Sequence, residues 1–125
     1  MLRIMTSATT TVAPERSLGG IIPSRRIKEM AAEVARTFLP SRIILFGSYA
    51  TGTPRPDSDV DLLVLFRGKP ARDMTLWIRR RIQRGFALDV IVMDEERLAK
   101  RLSLGDFFLM DVVESGKVLY ESAHA

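Results

Sequence analysis

Three aspartates at alternating positions lie at the entrance to one of the most apolar runs of the chain. Asp57, Asp59 and Asp61 surround the start of the segment VDLLVLF at 60–66. An unpaired carboxylate beside a buried segment is costly, so it either takes up a proton or finds a cation. The chain has no cysteine and only one histidine, His124, beside the C-terminus. A metal bound here would therefore be a hard cation held by oxygen, such as Mg²⁺ or Mn²⁺.

The spacing of the aspartates predicts that two of them converge. Side chains at positions i and i+2 of a strand point to the same face, so Asp59 and Asp61 project together with their Cα atoms about 7 Å apart. A third acid, Asp89, lies inside another apolar segment. If the two strands are neighbours, Asp89 completes a cluster of three carboxylates. Three such groups cannot all ionise in apolar surroundings unless a cation such as Mg²⁺ offsets their charge.

A Gly-Ser pair upstream fits the same chemistry. Gly47 and Ser48 follow the apolar segment RIILF at 42–46 and begin the predicted short helix SYAT at 48–51. Free backbone N–H groups at such a turn form an anion site, glycine allows a phosphate to approach the backbone, and serine adds a hydroxyl. A phosphate site beside metal-binding carboxylates is typical of phosphoryl or nucleotidyl transfer with two metal ions.

Each of these features has a simpler interpretation when taken alone. A single D-x-D is usually a helix cap or a turn, and Asp57 and Ser58 follow PRP at 54–56, where turn residues need no further role. An acid within an apolar strand, like Asp89, is rarer because a buried charge needs a partner. The combination of features favours a functional site.

The elements that would position these residues alternate between strands and helices. An alternation of this kind predicts an α/β (α+β) domain with a small mixed β-sheet flanked by helices. Residues 1–22 are predicted to be a flexible N-terminal arm, and residues 23–122 to form the single folded domain. Besides the two strands and the short helix given above, two further strands are predicted at 86–94 and 117–121. Four longer helices are predicted at 23–40, 71–85, 95–102 and 107–115. Ser24 is the predicted cap of the first of these helices, and Gly85 closes the second.

Composition narrows the class of partner. The chain has 125 residues and a net charge of +4, which suits an acidic protein, a phosphate-bearing ligand or nucleic acid. No apolar run approaches the roughly 18 residues of a membrane span, so we expect no membrane insertion and a cytoplasmic protein. The arginine-rich helix at 71–85 contains one aromatic residue, Trp77, which is a weak stacking platform for single-stranded RNA and makes direct nucleic-acid binding the less favoured alternative.

The segment GSYATGTPRPDSDVD at 47–61 resembles a known family signature. Ten residues separate Ser48 from Asp59, and Asp-Val-Asp follows. This spacing is similar to the G-S-x10-D-x-D signature of the DNA polymerase β-like nucleotidyltransferase superfamily. Within it, the chain most resembles the minimal nucleotidyltransferases (MNT), the antitoxins of HEPN–MNT toxin–antitoxin pairs. The similarity covers about residues 24–121, including the terminal SGKVLYE, and implies the polymerase β-like fold.

The resemblance also implies roles for individual residues. Gly47 and Ser48 would bind the triphosphate of ATP, and Asp59 and Asp61 would bind two Mg²⁺ ions. Asp89 would be the third acidic position, which binds the catalytic metal and helps to activate the attacking hydroxyl. That hydroxyl would attack the α-phosphate and release diphosphate.

One position departs from the family pattern. Many of these proteins have an arginine where this chain has Thr51, and Arg55, four residues later, is a candidate to replace its phosphate contact. The departure concerns nucleotide affinity and leaves the three acids in place.

The identity of the acceptor is predicted only from the resemblance and from the expectation that the catalytic core takes up the whole chain. The family implies transfer of AMP to a tyrosine of a partner HEPN ribonuclease toxin, which would dock against the open side of the site. Three alternatives stay open: transfer to a small molecule in a pocket completed by a homodimer, transfer to an RNA end, and an antitoxin that acts by binding alone. The candidate docking surfaces are the arginine-rich helix at 71–85 and the apolar segment at 107–114.

Overall fold

The computed structural model describes residues 20–82 and 87–123. These residues contain four strands and five helices, in the order that the sequence predicts. In chain order the elements are α1 (Ser24–Phe38), β1 (Arg42–Phe46), α2 (Ser48–Thr51), β2 (Val60–Phe66), α3 (Met74–Ile82), β3 (Leu88–Asp94), α4 (Glu95–Ser103), α5 (Phe107–Ser115) and β4 (Lys117–Glu121).

The strands form one mixed sheet in the order β3-β2-β1-β4. Strand β1 is antiparallel to both β2 and β4, whereas β2 and β3 run parallel. The expected α/β class with a small mixed sheet is therefore confirmed. The parallel pairing of β2 with β3 matters most for function, because it brings the segment containing Asp89 beside the segment containing Asp61.

Strand β2 is covered on both faces, which explains its continuous apolar sequence. On one face, side chains of β2 pack against helices α1 and α3, where the buried anchors include Met30, Val34 and Ile78. On the other face, Leu63 and Leu65 pack against α4 and α5. We call these two layers the α1 core and the α5 core, after one helix of each.

Helix α1 begins differently from the prediction. Its N-cap is Pro23, and Ser24 is the first helical residue, with no side-chain hydrogen bond capping the helix end. Proline suits the position because it has no N–H to leave unsatisfied and its fixed φ is compatible with entry into a helix. The helix ends at Phe38, and Leu39 then adopts a left-handed conformation with φ of 55°.

The remaining predicted bounds differ only at element ends. Helix α3 begins three residues later than predicted, after a turn at 72–73, and the predicted closing residue Gly85 lies outside the described residues. The predicted flexible arm overlaps the description only from residue 20 onward. There Ile22 is buried, and its backbone N–H donates to the Tyr49 hydroxyl at 3.0 Å. Over the described ranges, no helix has the length and apolar character needed to traverse a bilayer.

Candidate active site

Two of the predicted acids lie opposite each other across the β2–β3 pair. Asp61 and Asp89 are register partners, and Phe46 is the partner of Asp61 in β1. Neighbouring strands are about 5 Å apart, so the two carboxylates are adjacent across the sheet. Because Leu63 alternates in phase with Asp61 and belongs to the α5 core, Asp61 projects on that face of the sheet.

Asp59 lies one residue before the first residue of β2, Val60, and is exposed. Its negative charge contributes to raising the pKa of Asp61, which places it within electrostatic range of the same carboxylate. That Asp59 and Asp61 bind metal together stays a prediction.

The surroundings of Asp61 disfavour the charged form of its carboxyl. Burial, followed by the negative charges of Asp89 and Asp59, raises the pKa of the Asp61 carboxyl to about 6. Within the described part of the chain, the Asp61 side chain makes no hydrogen bond or ion pair that would offset this cost. A half-buried carboxylate facing two further acids is the electrostatic setting in which a bound divalent cation is favoured.

Asp89 has a protein partner that the sequence does not reveal. Arg79 of α3 lies 3.5 Å from the Asp89 carboxylate (Nη2 to Oδ1). The expectation that Asp89 is buried within its strand is wrong: its side chain is 52% exposed, on the face of edge strand β3 opposite the buried Leu88 and Val90. The expectation that this acid needs a partner is met by Arg79.

Gly47 is held against Asp61 in a conformation that only glycine adopts readily. Its φ of 77° and ψ of −158° lie in a region essentially restricted to glycine. A Cβ atom added at this position would collide with Oδ2 of Asp61. The glycine therefore allows the turn after β1 to pass directly beside the carboxylate.

The short helix α2 begins at this turn. Ala50 and Thr51 donate their backbone N–H groups to the Gly47 carbonyl at 3.0 and 3.2 Å. The N–H groups of Ser48 and Tyr49 precede this pattern, as in the first turn of any helix. Among the described residues, no group hydrogen-bonds to the Ser48 hydroxyl. Gly47 and Ser48 thus present polar groups beside Asp61 that an anion could use.

Thr51 occupies the position where the family pattern often has arginine. Its hydroxyl lies 3.1 Å from the Thr53 hydroxyl and 3.4 Å from the carbonyls of Gly47 and Ser48. The side chain is thus turned back onto its own helix. Arg55 lies in an exposed turn in which its N–H donates to the Ser58 hydroxyl at 2.8 Å, so Ser58 has the turn role that the sequence predicts.

The carboxylates of the site are suitable ligands for a hard divalent cation, although they are not grouped as a complete metal site. Across residues 20–82 and 87–123, no three His, Cys, Asp or Glu side chains are grouped so that they could hold a metal ion. Asp89 is instead directed to Arg79. Asp59 and Asp61 supply carboxylate oxygens without a protein cation, and Asp89 would complete the set by leaving Arg79. Oxygen-only donors of this type match Mg²⁺.

Two side chains near the site are not identified by the sequence as candidate site residues. Arg79 is one of several arginines in its helix, and helical spacing alone does not single it out. Phe108 packs edge-to-face on Phe46, with ring centroids 5.6 Å apart. The apolar character of the segment at 107–114 was a usable signal for Phe108, but the contact joins two segments distant in the chain.

The chain is similar to a known domain family and to a named relative. The model of the nucleotidyltransferase domain family matches residues 27–119. A protein from Methanocaldococcus jannaschii with the provisional name protein adenylyltransferase MJ0604 is 34% identical over 79 residues, which are 63% of this chain and 77% of that protein.

Solved structures share the fold. A provisionally named nucleotidyltransferase from Sulfolobus solfataricus superposes with a TM-score of 0.55 at 23% identity, covering 90% of this chain and 89% of that one. A toxin–antitoxin complex with AMP-PNP superposes with a TM-score of 0.56 at 26% identity, covering 77% of this chain and 74% of the matched chain.

Proposed function

Because the chain belongs to the nucleotidyltransferase domain family and is therefore a nucleotidyltransferase, we propose that it transfers AMP from ATP to a hydroxyl of a partner protein. The observation that carries this proposal is the row formed by Asp89 and Asp61 across β3 and β2, with Gly47 in contact distance of Asp61. The row includes Asp61, which has no hydrogen-bond or ion-pair partner among the described residues, beside a turn whose polar groups would suit a phosphate.

In this proposal the phosphates of ATP lie against the Gly47–Ser48 turn and alongside the carboxylates. Asp59 and Asp61 would hold Mg²⁺, with two ions as the expected number, and Asp89 would contribute to the ion nearer the acceptor. Bound Mg²⁺ would offset the charge of the phosphates and of the leaving diphosphate. Gly47 supports the arrangement because any larger residue would push the turn away from Asp61.

The acceptor hydroxyl would approach from the β3 side. Asp89 lies at the exposed edge of the sheet, where a macromolecule can reach it, and its carboxylate can orient the hydroxyl and help to remove its proton. The oxygen–phosphorus bond to the acceptor forms as the bond to diphosphate breaks, which yields AMP-protein and diphosphate. Positioning and electrostatic stabilisation account for most of the rate in such transfers.

Two relatives support the choice of acceptor and of nucleotide. MJ0604 has the provisional name protein adenylyltransferase, and the toxin–antitoxin complex contains AMP-PNP, an analogue of ATP. We propose that the acceptor is a HEPN-family ribonuclease toxin, that a tyrosine of this toxin receives AMP, and that the modification silences the ribonuclease. The reaction would then take place in the cytoplasm, where ATP and ribonuclease substrates occur together.

The mass of the partner tests this function. The chain, its co-expressed HEPN-family partner, ATP and Mg²⁺ would be incubated together, with the Asp59→Asn/Asp61→Asn variant as the matched control. We expect the partner to gain the mass of one or more AMP units with the wild-type chain and none with the variant or with EDTA, and fragmentation would locate the modified residue. A partner that stays unmodified while remaining tightly bound and inhibited would overturn the proposal in favour of inhibition by contact.

A further inference from the structure

An aromatic pair continues the row of carboxylates across the sheet. Phe46 is the register partner of Asp61, and both side chains belong to the face of the α5 core. Directly opposed residues of antiparallel strands have their Cβ atoms about 5 Å apart. Phe108 of α5 then packs on Phe46 at 5.6 Å with an interplanar angle of 84°. Asp89, Asp61, Phe46 and Phe108 thus follow one another in this order.

Phe108 is only half covered by this contact. Its exposed fraction is 53%, whereas Leu109 and Val112 of the same helix are buried against the sheet. Successive helix residues are about 100° apart, so Phe108 lies on one flank of α5 and Phe107 points away from the sheet. The 84% exposure of Phe107 agrees with that direction. Phe108 therefore presents free aromatic surface at the site, and Phe107 presents its surface elsewhere.

We propose that the half-exposed ring of Phe108 stacks against the base of the bound nucleotide, an inference that rests on the proposed function. Gly47 directly follows Phe46, so the Phe46–Phe108 pair lies next to a nucleotide whose phosphates contact Gly47 and the carboxylates, and the proposed orientation directs its base toward Phe108. A nucleobase is a flat ring with two apolar faces, and such rings stack favourably on aromatic side chains. The edge-to-face contact with Phe46 holds the Phe108 ring in position.

In this subsite the base is held by stacking on its face, and no hydrogen bonds to its edge are proposed. The polar side chain next to Phe108 in the helix end, Asp106, is already engaged. It accepts a hydrogen bond from the Leu109 N–H at 3.0 Å and pairs with Arg101 at 2.8 Å. Stacking is tolerant of base identity because every base has a π-face, and the larger purines gain more from it than pyrimidines. The subsite therefore favours purine over pyrimidine nucleotides and discriminates little between adenine and guanine.

Binding measurements without an acceptor test the inference. The probes are α,β-methylene ATP, which cannot undergo the transfer, the corresponding GTP and UTP analogues, and inorganic tripolyphosphate, all with Mg²⁺. Phe108→Ala is compared with Phe107→Ala, which removes the same side chain from the same helix on the side facing away from the sheet. Phe108→Trp retains a stacking surface and guards against loss of folding in the alanine variant.

The expected pattern is specific to the base. Phe108→Ala weakens binding of the ATP and GTP analogues by about tenfold and leaves tripolyphosphate binding unchanged. Phe107→Ala behaves as the wild type, and Phe108→Trp binds at least as tightly as the wild type. The UTP analogue binds more weakly than either purine analogue and loses less on the Phe108→Ala change.

The other outcomes separate this inference from the proposed function. Equal ATP-analogue binding by Phe108→Ala and the wild type, or equal losses in Phe107→Ala and Phe108→Ala, overturns the stacking subsite and leaves the transfer function standing. A loss of tripolyphosphate affinity in folded Phe108→Ala also overturns it, because the ring would then act on the phosphates. A wild-type chain that binds neither tripolyphosphate nor any nucleotide analogue overturns the proposed function itself.

Discussion

At the scale of single residues, Asp61 has the most unusual environment in the site. It is partly buried between an edge-strand acid, Asp89, and the exposed Asp59, and it has no hydrogen-bond or ion-pair partner among the described residues. Its neighbour Gly47 leaves space for the carboxylate and nothing more. The charged form of Asp61 is therefore unfavourable by itself, and the proposed Mg²⁺ would offset this cost.

The raised pKa of Asp61 predicts a pH-dependent stability in the metal-free protein. Between the unfolded pKa of about 4 and the folded pKa of about 6, the folded state binds more protons than the unfolded state. The free energy of unfolding therefore falls as pH rises through this window, and the loss is complete above it. Urea denaturation in EDTA should show the fall in the wild type relative to Asp61→Asn, whose amide does not titrate.

Addition of Mg²⁺ is the control for this measurement. A bound cation should restore stability above about pH 6 in the wild type and have little effect on Asp61→Asn. A difference between the two proteins that stays constant from acid to neutral pH would show that Asp61 does not have a raised pKa.

The two glycines that flank α2 allow a matched comparison. Gly52 has φ of 83° in the left-handed region, and an added Cβ there meets open space. Gly52→Ala should lower the free energy of unfolding by about 1 kcal/mol and keep transfer activity. Gly47→Ala should cost about 3 kcal/mol and abolish transfer, because the new Cβ would displace the Asp61 carboxylate. Thermal unfolding and diphosphate release measure both effects, and equal behaviour of the two variants would refute the proposed contact.

At the scale of elements, the register between strands assembles the site. The sequence predicts β1, β2, α2, α5 and β4 with the bounds observed, because each is a short apolar run ended by Gly, Pro or polar residues. It also identifies the three acids and the Gly-Ser turn. It does not give the pairing of Asp61 with Asp89, because register between distant strands depends on tertiary packing. The exposure of Asp89 depends on the edge position of β3 and on which face of it the helices cover, neither of which a local pattern can show.

If Asp89 binds a metal ion as proposed, Arg79 of helix α3 would compete with that ion for the carboxylate. We expect Arg79→Gln to bind Mn²⁺ up to about fivefold more tightly, since exposed ion pairs contribute about 0–1 kcal/mol. Arg80→Gln removes the same charge from an exposed position of the same helix and controls for the general electrostatic effect. Isothermal titration would measure both affinities. Identical affinities in the two variants would mean that Arg79 does not compete for the acid.

A separate ion pair joins β1 to α4 at the end of the sheet away from the site. Glu95 accepts two hydrogen bonds from Arg42, at 2.8 and 2.9 Å, and one from the Ser41 hydroxyl at 2.7 Å. Arg42 holds the pKa of Glu95 below its usual value. The pair therefore contributes stability above the unfolded pKa of Glu95, and this contribution is lost as pH falls through the lower folded pKa.

Glu95→Gln should therefore lower the free energy of unfolding at neutral pH by about 1 kcal/mol and leave the transfer rate of the folded protein unchanged. Glu96→Gln, at the neighbouring exposed position, should change neither. Denaturation curves and diphosphate release would be recorded for both variants. A loss of activity in folded Glu95→Gln would contradict the separation of this pair from the site.

At the scale of the whole molecule, one face of the sheet is packed entirely by core side chains, and the other face carries the candidate site. The α1 core fills one face, whereas the other face has the α5 core over most of its length and the carboxylate row at one end. The sequence predicts this α/β arrangement from the order of strands and helices. It does not predict that Phe108 of α5 contacts Phe46 at the end of β1. That contact depends on the path of α5 across the sheet, which no local pattern specifies.

The fate of the individual phosphates of ATP tests the central claim most directly. The chain and its partner protein would be incubated with Mg²⁺ and ATP labelled at either the α-phosphate or the γ-phosphate, and the label on the partner would be measured. Nucleotidyl transfer predicts that only the α-label reaches the partner, that the γ-label is released in diphosphate, and that Asp59→Asn/Asp61→Asn transfers neither. Transfer of the γ-label would instead show phosphoryl transfer, and transfer of α-label by the double variant would remove the carboxylates from the mechanism.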